Sequence, residues 1–417
     1  MMVAALSGAG VLAAEQGKFG SQPNTGPAQG QFTRGAAAAG IVAADARLGG
    51  DDSRTRFVLD LNRKTDMAVF TLADPYRVVI DLPQVTFNLP AKTGETGRGL
   101  IKAFRYGLIM QGGSRVVLDA KGPVKVEKAF SLDPAEGQPA RLVLDLAATD
   151  RDTFMRNVAA ATHGPRSVAP KQPEAKAAGD VRPLVVIDPG HGGIDTGTKA
   201  ASGEQEKNLV LEFALLLRDK IERGGKYRVA MTRSDDTFVP LDERVRFARQ
   251  LGAALLISIH ADAIPRNEGF AEGATVYTLS ETASDSEAAR LAETENRADV
   301  IAGVDLTAES NDVADILIDL AQRETKAFSN QFAKTVVNEL KTTARMHKHP
   351  LKSAGFKVLK APDVPSVLVE LGYMSTKDDL KQLTSAAWQQ QTAAALSQAV
   401  DTFLTTRLAG ASSGQAR

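Results

Sequence analysis

The stretch Leu184 to Asp195, LVVIDPGHGGID, limits what this chain can fold into more than any other. Leu184 to Ile187 is an apolar run rich in β-branched residues, the pattern of a buried strand. Asp188 and Pro189 end it, and Gly190, Gly192 and Gly193 bend the backbone tightly around one histidine, His191. An imidazole at the carboxyl end of a buried strand stands where open α/β sheets hold their ligands. Downstream, helix and strand patterns alternate. Glu206 to Arg223 carries Leu209, Val210, Phe213, Leu216, Leu217 and Ile221 at helical spacing. Tyr227 to Thr232 reads as a strand, Leu241 to Leu251 as an amphipathic helix, and Ala254 to Ile259 as a second buried strand that delivers His260. Thr275 to Leu279 is a further strand, Gln331 to Leu340 a helix, and Ser366 to Val369 a last strand that delivers Glu370. The second half of the chain is therefore read as α/β.

The first half has a different period. Arg56 to Leu61, Ala68 to Leu72, Arg77 to Leu82, Ser114 to Asp119, Val124 to Ala129 and Arg141 to Leu146 are short β-branched runs, several alternating apolar with polar side chains. Clusters of Pro, Gly, Asn and Asp separate them, which predicts a small all-β sandwich over residues 41–148. Residues 149–182 are rich in Pro, Ala, Lys and Gly and read as a solvated linker. Residues 1–40 read as a secretory-signal remnant and disordered leader: an apolar run ends in small residues near Ala13 and Ala14 but lacks a basic n-region. The tail over 407–417 reads as disordered. No run elsewhere approaches membrane-spanning length. Lys+Arg and Asp+Glu stand at 50 each, so no global field draws nucleic acid, and the absence of cysteine rules out disulfides and thiolate metal sites.

His191 and His260 both follow buried strands, so a parallel sheet sets both on one rim. Glu206 opens the helix after the first strand, which aims its first turn at the same rim. Two imidazoles and one carboxylate leave a tetrahedral zinc one open position, the arrangement of a hydrolytic site. Such hydrolysis also needs a proton carrier, and Glu370, between an apolar strand and Gly372, has no use in a core; it reads as general base and acid. Each residue alone also fits an ordinary role. A histidine after a strand is commonly structural, Glu206 suits a helix N-terminus, and Glu370 suits a cap. The glycine-rich turn also resembles a phosphate cradle but lacks the Gly-Lys-Ser/Thr or G-x-G-x-x-G context. Co-occurrence on one rim favours the metal.

The ordered set DPGHGGIDTG, Glu206-Lys207, SIHADA and KAPDVPSVLVELGYMS resembles the zinc-dependent N-acetylmuramoyl-L-alanine amidases of the type-3 family, from about Pro183 to Thr406. The β segment, with its repeated R-x-V-x-D-L phrase, resembles the AMIN domain, an envelope-targeting module that precedes such amidases. Together they resemble the periplasmic cell-division amidases of Gram-negative bacteria. The resemblance implies a twisted, mostly parallel sheet flanked by helices, with His191, Glu206 and His260 binding Zn2+ and Glu370 as the catalytic glutamate. It implies peptidoglycan as substrate, cleavage between N-acetylmuramic acid and L-alanine of the stem peptide, and a role in septal wall splitting. The intact His/Glu/His/Glu set argues against a non-catalytic wall-binding scaffold; a zinc peptidase acting within the stem peptide is the other alternative.

Residues 281–326 form an acidic insert. Glu287 to Ile301 has helix-forming composition, and Val313, Ile316, Leu317 and Leu320 share one narrow helical face. A surface hairpin packed by that stripe is one reading. The family resemblance implies another, a regulatory helix over the zinc and a second helix that docks a LytM-type activator. A carboxylate of the first helix, Glu293 or Glu295, would then fill the open position. Arg233 and Arg244 fit packing or substrate contact, Asp262 fits a turn or a carboxylate that orients a ligand histidine, and His347 and His349 read as polar-loop residues outside the site.

Overall fold

The computed structural model describes residues 40–109, 113–161, 180–263, 271–304 and 316–414, and the side chains of all of these except 159–161, 316–322 and 408–414. The all-β region comes first: β1 (Ile41–Gly50), β2 (Arg54–Leu61), β3 (Ala68–Leu72), β4 (Arg77–Pro83), β5 (Val85–Phe87), β6 (Ile101–Ile109), β7 (Gly113–Ala120), β8 (Val124–Leu132) and β9 (Ala140–Ala148). One sheet runs in the order β5-β1-β2-β9-β8, and β6-β7-β4-β3 lie adjacent in the other. Phe57, Leu59, Leu142 and Leu144 from the first sheet meet Val78, Ile80, Val116 and Leu118 from the second, as alternation along each strand requires. Between them sit Val79 and Val117, on the opposite face of β4 and β7, and these too are buried. The continuous apolar runs Val78-Val79-Ile80 and Val116-Val117-Leu118 thus mark a sheet covered on both sides.

Helix α1 (Arg151–Ala161) occupies the start of the expected linker, because Phe154 reaches into the sandwich core and meets the Tyr76 ring edge-on at 5.0 Å. The α/β region follows: β10 (Leu184–Pro189), α2 (Glu206–Arg223), β11 (Arg228–Met231), β12 (Thr237–Phe238), α3 (Leu241–Gln250), β13 (Leu255–His260), β14 (Ala274–Leu279), α4 (Ser286–Glu295), α5 (Ala298–Ile301), α6 (Ile316–Leu340), β15 (Met346–Ala354), β16 (Ser366–Glu370), α7 (Lys377–Leu383) and α8 (Ala386–Gly414). Its sheet has the order β11-β10-β13-β16-β14-β15. The first four of these strands are parallel; β14 runs antiparallel to β16 and parallel to β15. Val210, Phe213 and Leu217 of α2 bury against Val185, Ile187 and Ile257, and Phe332, Val336, Leu396 and Phe403 of α6 and α8 extend the same core.

Two further expectations change. His347 and His349 lie on edge strand β15 rather than in a loop, and His347 is buried. Helix α8 runs on to Gly414, past the point where the tail was expected to lose structure. The two regions are also joined where none of the sequence patterns marked a contact. Two-residue β12 pairs in parallel with β6, adding to the sandwich's second sheet, and a Cβ at Gly107 of β6 would stand 2.7 Å from Ile194 Cα, beside the His191 turn.

Candidate metal centre

Strand β13 lies between β10 and β16 in parallel register, so the chain leaves all three strands on one rim. His260 and Glu370 end their strands as direct partners. His191 sits in the turn just past β10, and Glu206 is brought back over the rim when its N–H donates to Thr198 O at 2.9 Å. All four side chains are buried. One ligand atom each from His191, Glu206 and His260 lies within 4.8 Å of the others. Glu206 Oε1 is 3.1 Å from His191 Nε2 and 3.4 Å from His260 Nδ1.

Those two ring nitrogens are buried and accept or donate no hydrogen bond among the described residues. Orphaned imidazole nitrogens facing a carboxylate at such distances are what a shared cation satisfies, and nitrogen plus carboxylate oxygen is a donor set that suits zinc. The charges agree. Burial opposes the charged imidazolium of His191, yet the carboxylates of Glu206, Asp195 and Glu295 outweigh it and raise its pKa well above the ordinary value. Burial would raise the Glu206 carboxyl, but His191 and His260 hold it well below the usual range. A site that draws a proton this strongly draws a divalent cation to the same atoms.

Supporting contacts fix the ligands. Asp195 Oδ2 stands 2.9 Å from His191 Nδ1; the carboxylate accepts, leaving Nε2 to face the site. Glu206 accepts from the N–H groups of Thr198 and Ala261, each at 2.9 Å. His191 has a φ of 59°, unusual for a residue with a side chain. Two buried arginines hold that turn. Arg244 donates to His191 O at 2.8 Å and to Asp188 Oδ1 at 2.9 Å, and Arg233 donates to Pro189 O and Gly190 O at 3.0 and 2.7 Å. Gly190 is needed because a Cβ there would stand 2.5 Å from His260 Nε2. Asp262 touches neither ligand histidine: its side chain accepts from Thr198 Oγ1 at 2.6 Å, and its N–H donates to Glu370 Oε2 at 3.0 Å. The orienting carboxylate is Asp195, four positions after His191 in the same glycine-rich phrase and passed over in the sequence.

Glu370 Oε1 is buried without a hydrogen-bond partner among the described residues. Burial raises the Glu370 carboxyl well above its ordinary value, and the carboxylates of Glu206, Asp262 and Glu295 push it the same way. Helix α4 covers the rim. Glu295, its last residue, points Oε2 at His260 Nδ1 (3.1 Å) and His191 Nε2 (3.6 Å), while Glu293 is exposed and lines the adjoining cleft. Burial raises the Glu295 carboxyl to about 7 despite the two histidines. Val313 lies outside the described residues; Ile316, Leu317 and Leu320 open α6, and their side chains are not described.

The all-β region grips the insert just beyond Glu295. Arg77 donates to Val300 O, Arg105 to Ile301 O, and Arg115 to Ala302 O and Gly303 O at 3.2 and 2.8 Å. These arginines stand on neighbouring strands β4, β6 and β7. Asp119 holds Arg105 and Asp81 holds Arg115 by paired contacts, so both forks are preset. Val79 and Val117 pack beneath them with Leu291, Ala298 and Ala302.

Comparison with known proteins gives the family. A family model described as N-acetylmuramoyl-L-alanine amidase matches residues 185–402, and the AMIN domain model matches residues 45–147. The chain is 37% identical over 356 residues to N-acetylmuramoyl-L-alanine amidase AmiC of Escherichia coli, covering 82% of this chain and 84% of that protein. It is 32% identical over 377 residues to AmiC of Neisseria meningitidis, covering 87% and 89%. Among solved structures, amidase AmiC2 of Nostoc punctiforme matches with a TM-score of 0.39 and 26% identity, covering 54% of this chain and 97% of that one. By its matched catalytic region and by its likeness to AmiC along most of its length, the chain belongs to the N-acetylmuramoyl-L-alanine amidase family, with an AMIN domain in front.

Proposed function

We propose that this chain hydrolyses the amide between N-acetylmuramic acid and L-alanine in peptidoglycan, using zinc held by His191, Glu206 and His260. The observation that carries the reading is the convergence of those three buried ligands beside Glu370 on one rim. A zinc ion held by these three residues would supply Lewis-acid polarisation of the scissile carbonyl and activation of water near neutral pH. The protein's own part is positional and protonic. Asp195, Arg233 and Arg244 hold the His191 turn in the strained conformation that presents Nε2. Glu370 keeps one oxygen on the Asp262 N–H and the other without a hydrogen bond among the described residues. Its raised pKa suits a group that takes a proton from the attacking water and returns it to the departing alanine nitrogen.

The enzyme acts in the periplasm during septal wall splitting and is held inactive by α4, with Glu295 in the position the reaction requires. A LytM-type activator, docking on the start of α6 around Val313, Ile316, Leu317 and Leu320, displaces the helix. Support for the inhibited form is the distance of Glu295 from both histidines. The decisive experiment treats purified sacculi with zinc-loaded Glu295→Ala protein and identifies products by mass spectrometry. Intact stem peptides beginning at L-alanine are expected. Shortened stems overturn the reading in favour of a peptidase, and no release at all in favour of a wall binder.

A further inference from the structure

Lys352 is a buried cation that the reaction described above does not use. Its side chain is 2% exposed, and among the described residues both its ion pairs come from the start of α4: Glu287 Oε1 at 2.9 Å and Asp285 Oδ2 at 3.3 Å. Asp285 is occupied locally, since it caps α4 by accepting from the Ala288 N–H at 2.8 Å. Glu287 is the carboxylate that enters the sheet side. The same Oε1 accepts from Tyr373 OH at 3.3 Å, and that hydroxyl lies 3.3 Å from both Tyr277 OH and Thr275 Oγ1. His347 Nε2 stands 3.8 Å from Glu287 Oε2. One oxyanion of the displaceable helix is thus seated in a cradle of lysine, tyrosines and histidine built on the fixed sheet.

Sheet register ties this cradle to the reacting centre. His260 pairs with Glu370, Glu370 with Thr275, and Tyr277 with Lys352. Paired residues share a face, as do residues two apart on a strand, so His260, Glu370, Thr275, Tyr277 and Lys352 all rise from the face that α4 covers. A cleft of about 350 Å³ runs along it, with Thr198 and Asp262 beside the metal ligands and Tyr277, Glu287 and Tyr373 at the cradle. Lys352 stands two strands across from Glu370 and two residues along, about 12 Å at the usual strand spacing and rise. An extended peptide covers that in about three to four residues. Lifting α4 leaves a buried ammonium and two phenols facing a peptide-sized groove with their carboxylate removed.

We infer that Lys352, with Tyr373 and Tyr277, is a subsite for a carboxylate of the stem peptide, and that Glu287 stands in for that carboxylate when α4 is seated. The inference rests on the amidase reading above. The inserted helix then imitates the substrate at two places, Glu295 at the reacting centre and Glu287 at the peptide's anionic group.

The test uses the full zinc-loaded chain carrying Glu295→Ala and a soluble muropeptide with its stem carboxylates either free or converted to amides. With Lys352 intact, amidation should raise KM about tenfold or more, as expected for a lost charge-assisted contact, with kcat little changed. Lys352→Met should raise KM for the free acid by the same factor and leave the amide's KM where it was, while Lys352→Arg restores part of the difference. Equal KM for acid and amide with Lys352 intact overturns the subsite, whatever the variants do to folding. So does a Lys352→Met effect that falls equally on both substrates, which is a packing role. Release from neither substrate by the Lys352-intact protein overturns the amidase reading, and the subsite with it.

Discussion

Glu295 Oε2 stands 3.1 Å from His260 Nδ1 and 3.6 Å from His191 Nε2, the two ring nitrogens that also face Glu206. Replacing Glu295 with alanine should raise basal peptide release tenfold or more, a change equivalent to about 1.4 kcal/mol in the seating of α4. Glu293→Ala, on the exposed side of the same helix, should leave basal release unchanged. Dye-release from labelled sacculi without activator reads both, and equal effects of the two substitutions would remove Glu295 from its assigned place.

Glu370 lies outside the His191, Glu206 and His260 cluster, with one oxygen hydrogen-bonded and the other without a hydrogen bond among the described residues. Glu370→Ala should keep one zinc per chain by elemental analysis while turnover in the Glu295→Ala background falls about 10²–10⁴-fold. Substantial turnover with full zinc would exclude it as the proton carrier.

Removing Arg105 and Arg115 together takes away the contacts to Ile301, Ala302 and Gly303. Hydrogen bonds from charged donors contribute roughly 1.5–3 kcal/mol each, so the double alanine variant should exchange amide hydrogens faster across residues 286–304 and show higher basal release. Unchanged exchange there would mean the insert is held by its apolar contacts alone.

Asp188, paired with the arginine that holds the His191 turn, offers a pH test of stability. Burial pushes its carboxyl up, but the Arg244 guanidinium and the hydroxyls of Thr232 and Ser258 prevail and hold it below the usual range. A lowered folded-state pKa gives stability that is present above the unfolded value, about 3.9, and lost as pH falls through the folded one. Asp188→Asn should therefore cost about 3–5 kcal/mol at pH 7, because it leaves Arg244 buried without its charge partner. The gap between the two proteins should stay level down to about pH 4 and narrow only below it. Denaturant melts at pH 7 and in acid measure this; a gap that widens in acid would contradict it.

What could be read from the sequence followed from where chemistry meets periodicity. His191, His260 and Glu370 each close an apolar run, so a parallel sheet sends them to one rim, and the two fold classes follow from the change of period near residue 150. The β15 strand was hidden by Pro350 and four basic residues in MHKHPLK, a composition suited to a sheet edge but without alternation. Asp195 was hidden in plain view, since an aspartate in a glycine turn carries no mark of what it orients. The grip of Arg77, Arg105 and Arg115 was illegible for another reason: its acceptors are backbone carbonyls, which leave no trace in residue identity. Its only visible sign was the doubling of valines in β4 and β7.

That grip has a thermodynamic corollary. The sheet that grasps the insert belongs to the AMIN domain, so any ligand that favoured a β4-β7 pair with a looser grip would also favour release of residues 300–303. The coupling runs equally in reverse: whatever releases the insert would alter the sandwich's own affinity by the same factor. Ligand binding at the AMIN domain and release of the insert would thereby be two readings of a single equilibrium.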